Sequence, residues 1–223
     1  TIPRNSWPVG VSEARLPTQK GPGNMEFTTE RSIRVTAMLL IAAAVTQAIY
    51  TGFHVAEMQP PRRLLWGGEA ILFSILAAFA GAALVGAQRF TVGFSAITAA
   101  AVLNVVHLCV GLTMFGPFRE AATAEPSFAP AAGAVVAFSF MVYNAAKALL
   151  GFAAVIFGFA RLHAGSKLLG GAAVALGAIA LLSNAIVMVA GIDGFFPRPI
   201  AGGTGVVATL LLGLCLLGVP GKD

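Results

Sequence analysis

Charged residues are scarce in this chain, and their scarcity excludes an ordinary soluble domain. Only 10% of the 223 residues are Asp, Glu, Lys or Arg, whereas a soluble domain carries about 25%. So few charges cannot cover a folded surface that faces water, and the mean hydropathy of +0.85 points the same way. The composition therefore indicates a protein whose surroundings are largely lipid.

Reactive residues and catalytic motifs are also few. The sequence holds only two cysteines and three histidines. Cys109 and Cys215 form neither a C-x-x-C pair nor a Cys/His ligand spacing, so we predict that they are small buried apolar residues. The sequence contains no phosphate-binding loop, nucleophile elbow, dinucleotide fingerprint or carboxylate pair at catalytic spacing. We therefore expect no enzymatic activity from the chain by itself, and we predict no bound cofactor.

Apolar residues instead form six long stretches. A bilayer core of about 30 Å requires about 20 residues of helix, and every stretch is close to this length or above it. The stretches cover residues 35–53, 64–87, 92–115, 131–160, 168–192 and 200–219. We predict an all-α integral membrane protein, a bundle of six transmembrane helices joined by short loops, of which the longest is 116–130.

The basic residues divide unevenly between the two sides of such a bundle. If the N-terminal tail is cytoplasmic, the inside segments hold nine basic residues and the outside segments hold four. The positive-inside rule then places both termini in the cytoplasm. We expect a multi-pass protein of the plasma membrane, which in a bacterium is the inner membrane. Because the basic residues form no face of their own, nucleic-acid binding is not expected.

Residues 1–33 form a polar tail rich in proline, glycine and arginine, and residues 34–223 form the transmembrane domain. The tail lacks the apolar core of a signal peptide, and a segment of this composition is disordered when alone. We expect the tail to contact other subunits of a membrane assembly. The predicted partners are therefore membrane lipids and neighbouring membrane protein subunits.

A weak internal repeat connects the middle spans. Glu69 of the second span aligns with Lys147 of the fourth, and four residues of the third span recur eighty residues later in or just after the fifth. The matched pairs are Asn104 and Asn184, Gly111 and Gly191, Phe115 and Phe195, and Pro117 and Pro197. The pattern predicts two parallel copies of one hairpin, spans two–three and four–five, as some carriers have. Chance matches between Ala/Leu/Gly-rich spans are the alternative.

Polar residues inside the spans collect in one layer. Counted at about 1.5 Å per residue from the cytoplasmic charges, residues of four helices lie in the outer half and Glu69 of a fifth lies at the outer boundary, while the inner half is almost purely apolar. Their spacing also places them on single helix faces. We predict a pocket that opens outward and serves as a ligand site or a proton pathway. Its candidate residues are Gln47, Tyr50, His54, Glu57, Glu69, Asn104, His107, Tyr143, Asn144, Lys147 and Asn184.

Lys147 is the most informative of these residues. It lies far from both ends of its span, so its amine cannot easily reach the membrane surface. It needs a carboxylate partner, for which Glu69 and then Glu57 are the candidates, or it loses its charge. A functional lysine would be a proton relay, an anion site or a Schiff-base attachment. A structural ion pair or an interhelical hydrogen bond is the alternative.

Other polar residues have more ordinary interpretations. His54 and His107 are candidate haem or metal ligands, with a hydrogen-bonded interior histidine as the alternative. The asparagines of the pocket are expected to form hydrogen bonds between helices. Trp66, at the outer end of the second span, is expected to be an interfacial anchor. Arg62 and Arg63, beside it, are expected to be solvated, with the docking of a partner as the alternative.

Three functions are compatible with these features. The first is a non-catalytic integral membrane subunit of a larger assembly, which packs against partner subunits and lipid or quinone. Small size and the lack of catalytic motifs favour it. The second is a small proton-coupled carrier or channel that uses the pocket around Lys147. The third is a redox subunit that binds haem at His54 and His107, or a quinone head group at His107 and Lys147.

Overall fold

The computed structural model of the chain describes residues 28–87, 89–191 and 198–218, with the backbone alone at His54 and at 198–200. All secondary structure within these ranges is helical. A single turn of 3₁₀ helix, Pro126–Phe128, precedes the fifth α-helix. The α-helices are α1 (Thr29–Val55), α2 (Arg62–Gly86), α3 (Thr91–Thr113), α4 (Phe115–Ala124), α5 (Ala129–His163), α6 (Lys167–Ala190) and α7 (Arg198–Leu216).

The six predicted spans correspond to α1, α2, α3, α5, α6 and α7. The first five of these are long enough and apolar enough to cross a membrane, and the apolar part of α7 within the described residues, Ala201–Leu216, is shorter. Large apolar side chains are exposed on the outer faces, among them Met38, Ile71 and Leu182. A water-soluble bundle does not present so much apolar surface. The predicted class, an all-helical polytopic bundle suited to a membrane, is confirmed.

The first helix begins within the segment assigned to the tail. Thr28 caps it, because its Oγ1 accepts a hydrogen bond from the backbone N–H of Arg31 at 3.3 Å. Glu30, in the first turn, pairs with Arg34 four residues later, a spacing that places both on one side of the helix. Helical structure therefore starts at Thr29. The rest of the predicted tail, residues 1–27, lies outside the described residues.

The segment 116–130 is mostly helical, so its prediction as the longest loop is wrong. Gly116 and Pro117 indicate a break in the sequence, but they stand in the first turn of α4. There a missing N–H breaks no helical hydrogen bond, and the Arg, Glu and Ala residues that follow are good helix formers. No residue of α4 is buried, so this helix lies on the outside of the bundle.

Five of the helices form a ring. Its members are α1, α2, α3, α5 and α7 in that order, α7 closes it against α1, and α6 packs outside against α5 and α7. We call the side with the last turn of α1 and the first turn of α2 the α4 end, and the opposite side the terminal end. Across the ring, α1 and α5 make no close backbone contact in the described ranges. A side chain that joins them must cross the interior.

Glycines bring the backbones of α5 and α6 together. A Cβ added at Gly177 would lie 2.8 Å from the carbonyl oxygen of Gly151, and one at Gly170 would lie 2.8 Å from that of Gly158. No side chain fits there, and close backbone approach is how helices associate in lipid. By contrast, a Cβ at Gly171 would meet nothing within 4 Å. Four glycines therefore form this contact, and their neighbour does not.

The turn between α5 and α6 also requires a glycine. Gly165 has a φ of +88°, a left-handed conformation that glycine adopts without a steric penalty. The N–H of Ser166 donates to the carbonyl of Arg161 at 2.9 Å, which closes the end of α5 in a Schellman pattern. This short turn sets α6 antiparallel to α5.

Candidate functional site

Lys147 lies in the interior of the ring and is fully buried, with 0% of its surface exposed. Its Nζ donates a hydrogen bond to Gln47 Oε1 at 2.5 Å. Because Gln47 is on α1, this bond joins helices that face each other across the ring. Nζ also lies 5.3 Å from the centroid of the Tyr143 ring, within range of a cation–π contact. Among the described residues, no carboxylate lies within 4.0 Å of Nζ.

Glu69, on α2, is the buried acid of the cluster, with 4% of its surface exposed. Its carboxyl group lies within electrostatic range of the ammonium of Lys147. Its Oε1 is buried and has no partner in the part of the chain that the structure describes. A buried oxygen without a donor is unfavourable in a membrane interior, so it marks a position for a proton or a bound group.

Helix α7 fixes the position of the lysine. A Cβ added at Gly205 would lie 2.9 Å from Cδ and 3.1 Å from Cγ of Lys147, and one at Gly202 would lie 3.9 Å from the hydroxyl of Tyr143. Gly205 therefore leaves space on α7 for the stem of Lys147, whereas a Cβ at Gly202 would make only an ordinary van der Waals contact. The amine of Lys147 can therefore reach past α7 into the ring.

His107, on α3, is bonded through Nδ1. This nitrogen lies 3.0 Å from the carbonyl oxygen of Ser139 and 2.8 Å from its Oγ. Since a carbonyl oxygen can only accept, the first bond assigns the proton of the neutral ring to Nδ1 and leaves Nε2 as an acceptor. Ser139 Oγ lies 3.3 Å from the carbonyl oxygen of His107 and donates to it. His107 is therefore not a base toward Ser139, and the pair is not a nucleophilic site.

Trp66 lies inside the bundle, so its predicted role as an interfacial anchor is wrong. Only 9% of its surface is exposed. Its ring centroid lies 5.6 Å from those of Tyr50 and His107, and the ring of His107 lies 5.0 Å from that of Tyr143. The inward orientation of this face of α2, and not its depth, decides the environment of the indole. These rings connect the α4 end with the buried lysine.

Arg62 stands at the α4 end of this chain of rings, half-buried and not solvated as expected. Its guanidinium carbon lies 4.1 Å from the ring centroid of Trp66 and 4.9 Å from that of Phe115, a stacking that suits a planar cation. Its Nη2 donates to the carbonyl of Gly111 at 3.4 Å. Its Nε is buried and has no partner among the described residues.

Two predicted residues of the pocket are not placed in this cluster. Glu57 lies in the exposed turn beyond Val55, where α1 ends. The polar face predicted for α1 therefore does not extend to Glu57. His54 belongs to the last turn of α1, and its side chain lies outside what the structure describes.

Two asparagines bond within their own helices, so the expectation of interhelical bonds is wrong for them. Asn104 Nδ2 donates to the carbonyl of Ala100 at 2.9 Å. Asn144 Nδ2 donates to the carbonyl of Phe140 at 2.7 Å. Each acceptor lies four residues earlier, so the amide satisfies itself locally. Both side chains are buried, but neither contact joins two elements.

Asn184 does connect two helices, as expected. Its Nδ2 donates to the carbonyl of Ala180 at 2.7 Å and, across the contact with α7, to that of Ala201 at 3.3 Å. Its Oδ1 is buried without a partner in the described ranges. Because α6 packs outside the ring, Asn184 belongs to the α6–α7 contact and not to the surroundings of Lys147.

The surroundings of His107 do not fit a haem. The rings of Trp66, Tyr143 and Phe140 lie 5.6, 5.0 and 6.3 Å from the imidazole, and Ser139 holds Nδ1. Haem ligation needs open space for a porphyrin beside the ligating nitrogen, and here aromatic side chains occupy that space. Across the described residues, no group of three or more His, Cys, Asp or Glu could hold a metal ion.

Gly111→Ala is expected to displace Trp66. A Cβ at this position would lie 2.2 Å from Cζ3 of the indole, and overpacking of this kind costs about 1–3 kcal/mol. With Trp7 changed to Phe, the emission of Trp66 should shift and the melting temperature in detergent should fall. Gly133→Ala is the control, because its Cβ would meet nothing within 4 Å. Equal effects of the two substitutions would contradict the contact.

Part of the site was missed by the sequence reasoning. Arg62, Trp66 and Glu69 follow i, i+4, i+7 spacing on α2, which places them on one helix face. This spacing is visible in the sequence, and it would have added Arg62 and Trp66 to the predicted pocket. Ser139 carries no such signal, because hydroxyl residues in membrane helices commonly bond their own backbone.

Compared with known proteins, the chain matches no family model, no curated protein and no solved structure.

Proposed function

We propose that the protein is a small proton-coupled membrane carrier whose working site is the cluster of Lys147, Gln47 and Glu69. One observation supports this proposal above the others. A fully buried lysine donates to a neutral amide, while a buried acid in electrostatic range keeps one oxygen unpartnered. A purely structural ion pair would bring the two charges into direct contact. Here they are near each other but separate.

The energetics of this pair favour proton exchange. A single uncompensated charge in the middle of a bilayer costs about 2.5–3.5 kcal/mol or more, so the cluster disfavours states in which only one of the two groups is charged. When a proton leaves the ammonium of Lys147 and joins the carboxylate of Glu69, one N–H bond breaks and one O–H bond forms. Both groups become neutral together. A bound group that interacts with one of them changes this balance.

Aromatic and polar contacts extend from the lysine toward one side of the bundle. Aromatic and polar side chains lead from Lys147 to Arg62 at the α4 end. Toward the terminal end the large buried side chains are apolar, and the buried hydroxyls of Thr36 and Thr209 donate to backbone carbonyls of their own helices. Leu40, Phe94 and Phe157 are fully buried there. A carrier works by exposing one central site to each side in turn. A site that leads to one side only suits one state of such a cycle.

Orientation and membrane are proposed from charge. Most basic residues lie at the terminal end, among them Arg31, Arg89 and Lys167. The positive-inside rule assigns such an end to the cytoplasm. Both termini are then cytoplasmic and the α4 end faces outward. The membrane is the plasma membrane, which in a bacterium is the inner membrane.

Glu69→Gln is expected to remove a protonation signal. In reconstituted membranes, infrared difference spectra between low and high pH should show the carbonyl band of a buried protonated carboxyl group. The substitution keeps the shape of the side chain and removes the titrating proton, so the band should disappear. Glu57→Gln is the matched control, because it removes an exposed acid and should leave the band unchanged. A band that survives Glu69→Gln would contradict the proposal.

The other expectations from the sequence stay predictions. A non-catalytic subunit role concerns partner chains, and the parallel hairpin repeat concerns the similarity of α2–α3 to α5–α6. A quinone head group near His107 and Lys147 also stays a prediction. Of the three functions, the carrier is the one that the geometry around the lysine supports.

A further inference from the structure

We infer that the transported group is a small organic anion, whose carboxylate or phosphate binds at Arg62 and moves toward Lys147. This inference rests on the proposed carrier function and adds the chemical class of its substrate. It follows from an unpaired arginine at the α4 end, a second cation beside it, and the ring-lined connection to the buried amine.

The guanidinium of Arg62 has unused binding capacity. It is half-buried, lies against the rings of Trp66 and Phe115, and its one described hydrogen bond, to Gly111, is long at 3.4 Å. Nε is buried without a partner, and no carboxylate of the described residues lies within 4.0 Å. A planar guanidinium binds carboxylate and phosphate oxygens with two parallel hydrogen bonds. The missing partner therefore has the chemistry of an oxyanion.

A second cation strengthens this assignment. Arg119 of α4 lies within electrostatic range of Arg62. Arg119 is exposed, so water and salt screen its charge, and it adds to the positive potential at the α4 end. Arg62 also begins α2, and the free N–H groups of a helix start favour negative charge. Two arginines and the start of α2 therefore contribute positive potential at the α4 end.

The path inward explains how an anion and a proton would be coupled. Tyr50 lies within electrostatic range of both Arg62 and Glu69, and the Trp66 ring separates the α4 end from Lys147. With Glu69 ionised, the charges of Lys147 and Glu69 cancel, so an anion gains nothing by moving inward. With Glu69 protonated, the lysine is an uncompensated cation. An anion can then bind it, and the two enter together.

The fluorescence emission of Trp66 provides the measurement of anion binding. In a Trp7→Phe background Trp66 is the one remaining tryptophan of the sequence, and it stacks on the proposed anion site. The purified protein in phosphatidylcholine nanodiscs is titrated with acetate, inorganic phosphate and neutral acetamide at constant ionic strength. Acetate or phosphate should change Trp66 emission saturably, and acetamide should not. An equal response to acetamide would overturn the inference.

Substitutions at the arginine test the site itself. Arg62→Gln should weaken anion binding by about tenfold or more, as expected for loss of charged hydrogen bonds. Arg62→Lys keeps a cation, tests whether the fold tolerates the change, and should bind more tightly than Arg62→Gln. Arg63→Gln is the matched control, since Arg63 is exposed, and should stay within about twofold. Unchanged binding in Arg62→Gln would overturn the inference.

Two further measurements separate the inference from the carrier proposal. Nanodiscs that contain phosphatidylglycerol should not abolish the acetate response; if the lipid alone changes the emission and free anions do not, a carried anion is excluded. Proton uptake during anion binding is then followed in weakly buffered solution. Binding without proton uptake supports the anion site and contradicts proton coupling. A protonation band at Glu69 without any anion response overturns the inference and leaves the carrier proposal standing.

Discussion

Replacing Gly177 with valine is expected to force α6 away from α5 and to lower the stability of the bundle by about 3 kcal/mol, the upper end for overpacking. Any Cβ at this position lies 2.8 Å from the carbonyl oxygen of Gly151. That oxygen belongs to the backbone in the middle of a helix, so it cannot rotate aside as a side chain would. Thermal unfolding in detergent micelles, followed by circular dichroism, measures the loss.

A neighbouring glycine provides the matched control. Gly171→Val changes the same residue type in the same helix, with the same change in helix propensity, but its Cβ would meet nothing within 4 Å. Its melting temperature should stay close to that of the unaltered protein. Gly170→Val, which faces Gly158, should behave like Gly177→Val. If all three variants had the same melting temperature, helix propensity and not the contact between α5 and α6 would explain the effect of the substitutions.

Lys147→Met is expected to have a comparably large effect on both stability and function. The substitution keeps an unbranched side chain beside Gly205 but removes the ammonium. Gln47 Oε1 then loses its donor, and Glu69 loses the cation in its range. Removing one partner of a buried charge pair costs about 3–5 kcal/mol. We expect a loss near the lower value, because no direct ion pair is broken, and no proton exchange in reconstituted membranes.

A double substitution tests whether the two charges act as a pair. When Lys147→Met is combined with Glu69→Gln, no uncompensated charge is left in the ring, so part of the lost stability should return. Melting in detergent of the single and double variants measures this coupling. Lys167→Met, at the exposed first residue of α6, is the control for loss of a lysine. Strictly additive losses would show that Lys147 and Glu69 do not interact.

The long helices could be predicted because lipid imposes one rule on every crossing. About 20 apolar residues are needed, and the predicted stretch 64–87 differs from α2 by two residues or fewer at each end. The start of α1 was missed because its first turns are polar and depend on the cap by Thr28. The helix α4 was missed because proline is compatible with a helix only in its first turn, and the sequence does not show that Pro117 stands there. Hydropathy carries neither signal.

The site could be predicted only in part. Depth and spacing are enough to predict that Lys147 and His107 face the interior, since a lipid-facing polar group at that depth is costly. They are not enough to identify the partner of the lysine. That partner depends on the order of helices in the ring, which sets α1 opposite α5 and brings Gln47 to the amine. No local pattern in the sequence contains that order.

The absence of a side chain at position 205 has a mechanical consequence. A slide of α7 along α5 by one turn, about 5.4 Å, would replace Gly205 with Ala201 or Thr209 beside the aliphatic stem of Lys147. Either side chain would push the stem and withdraw the ammonium from Gln47. The register between α7 and α5 thus sets the position of the Lys147 ammonium. A small displacement of α7 would therefore move a proton-binding group.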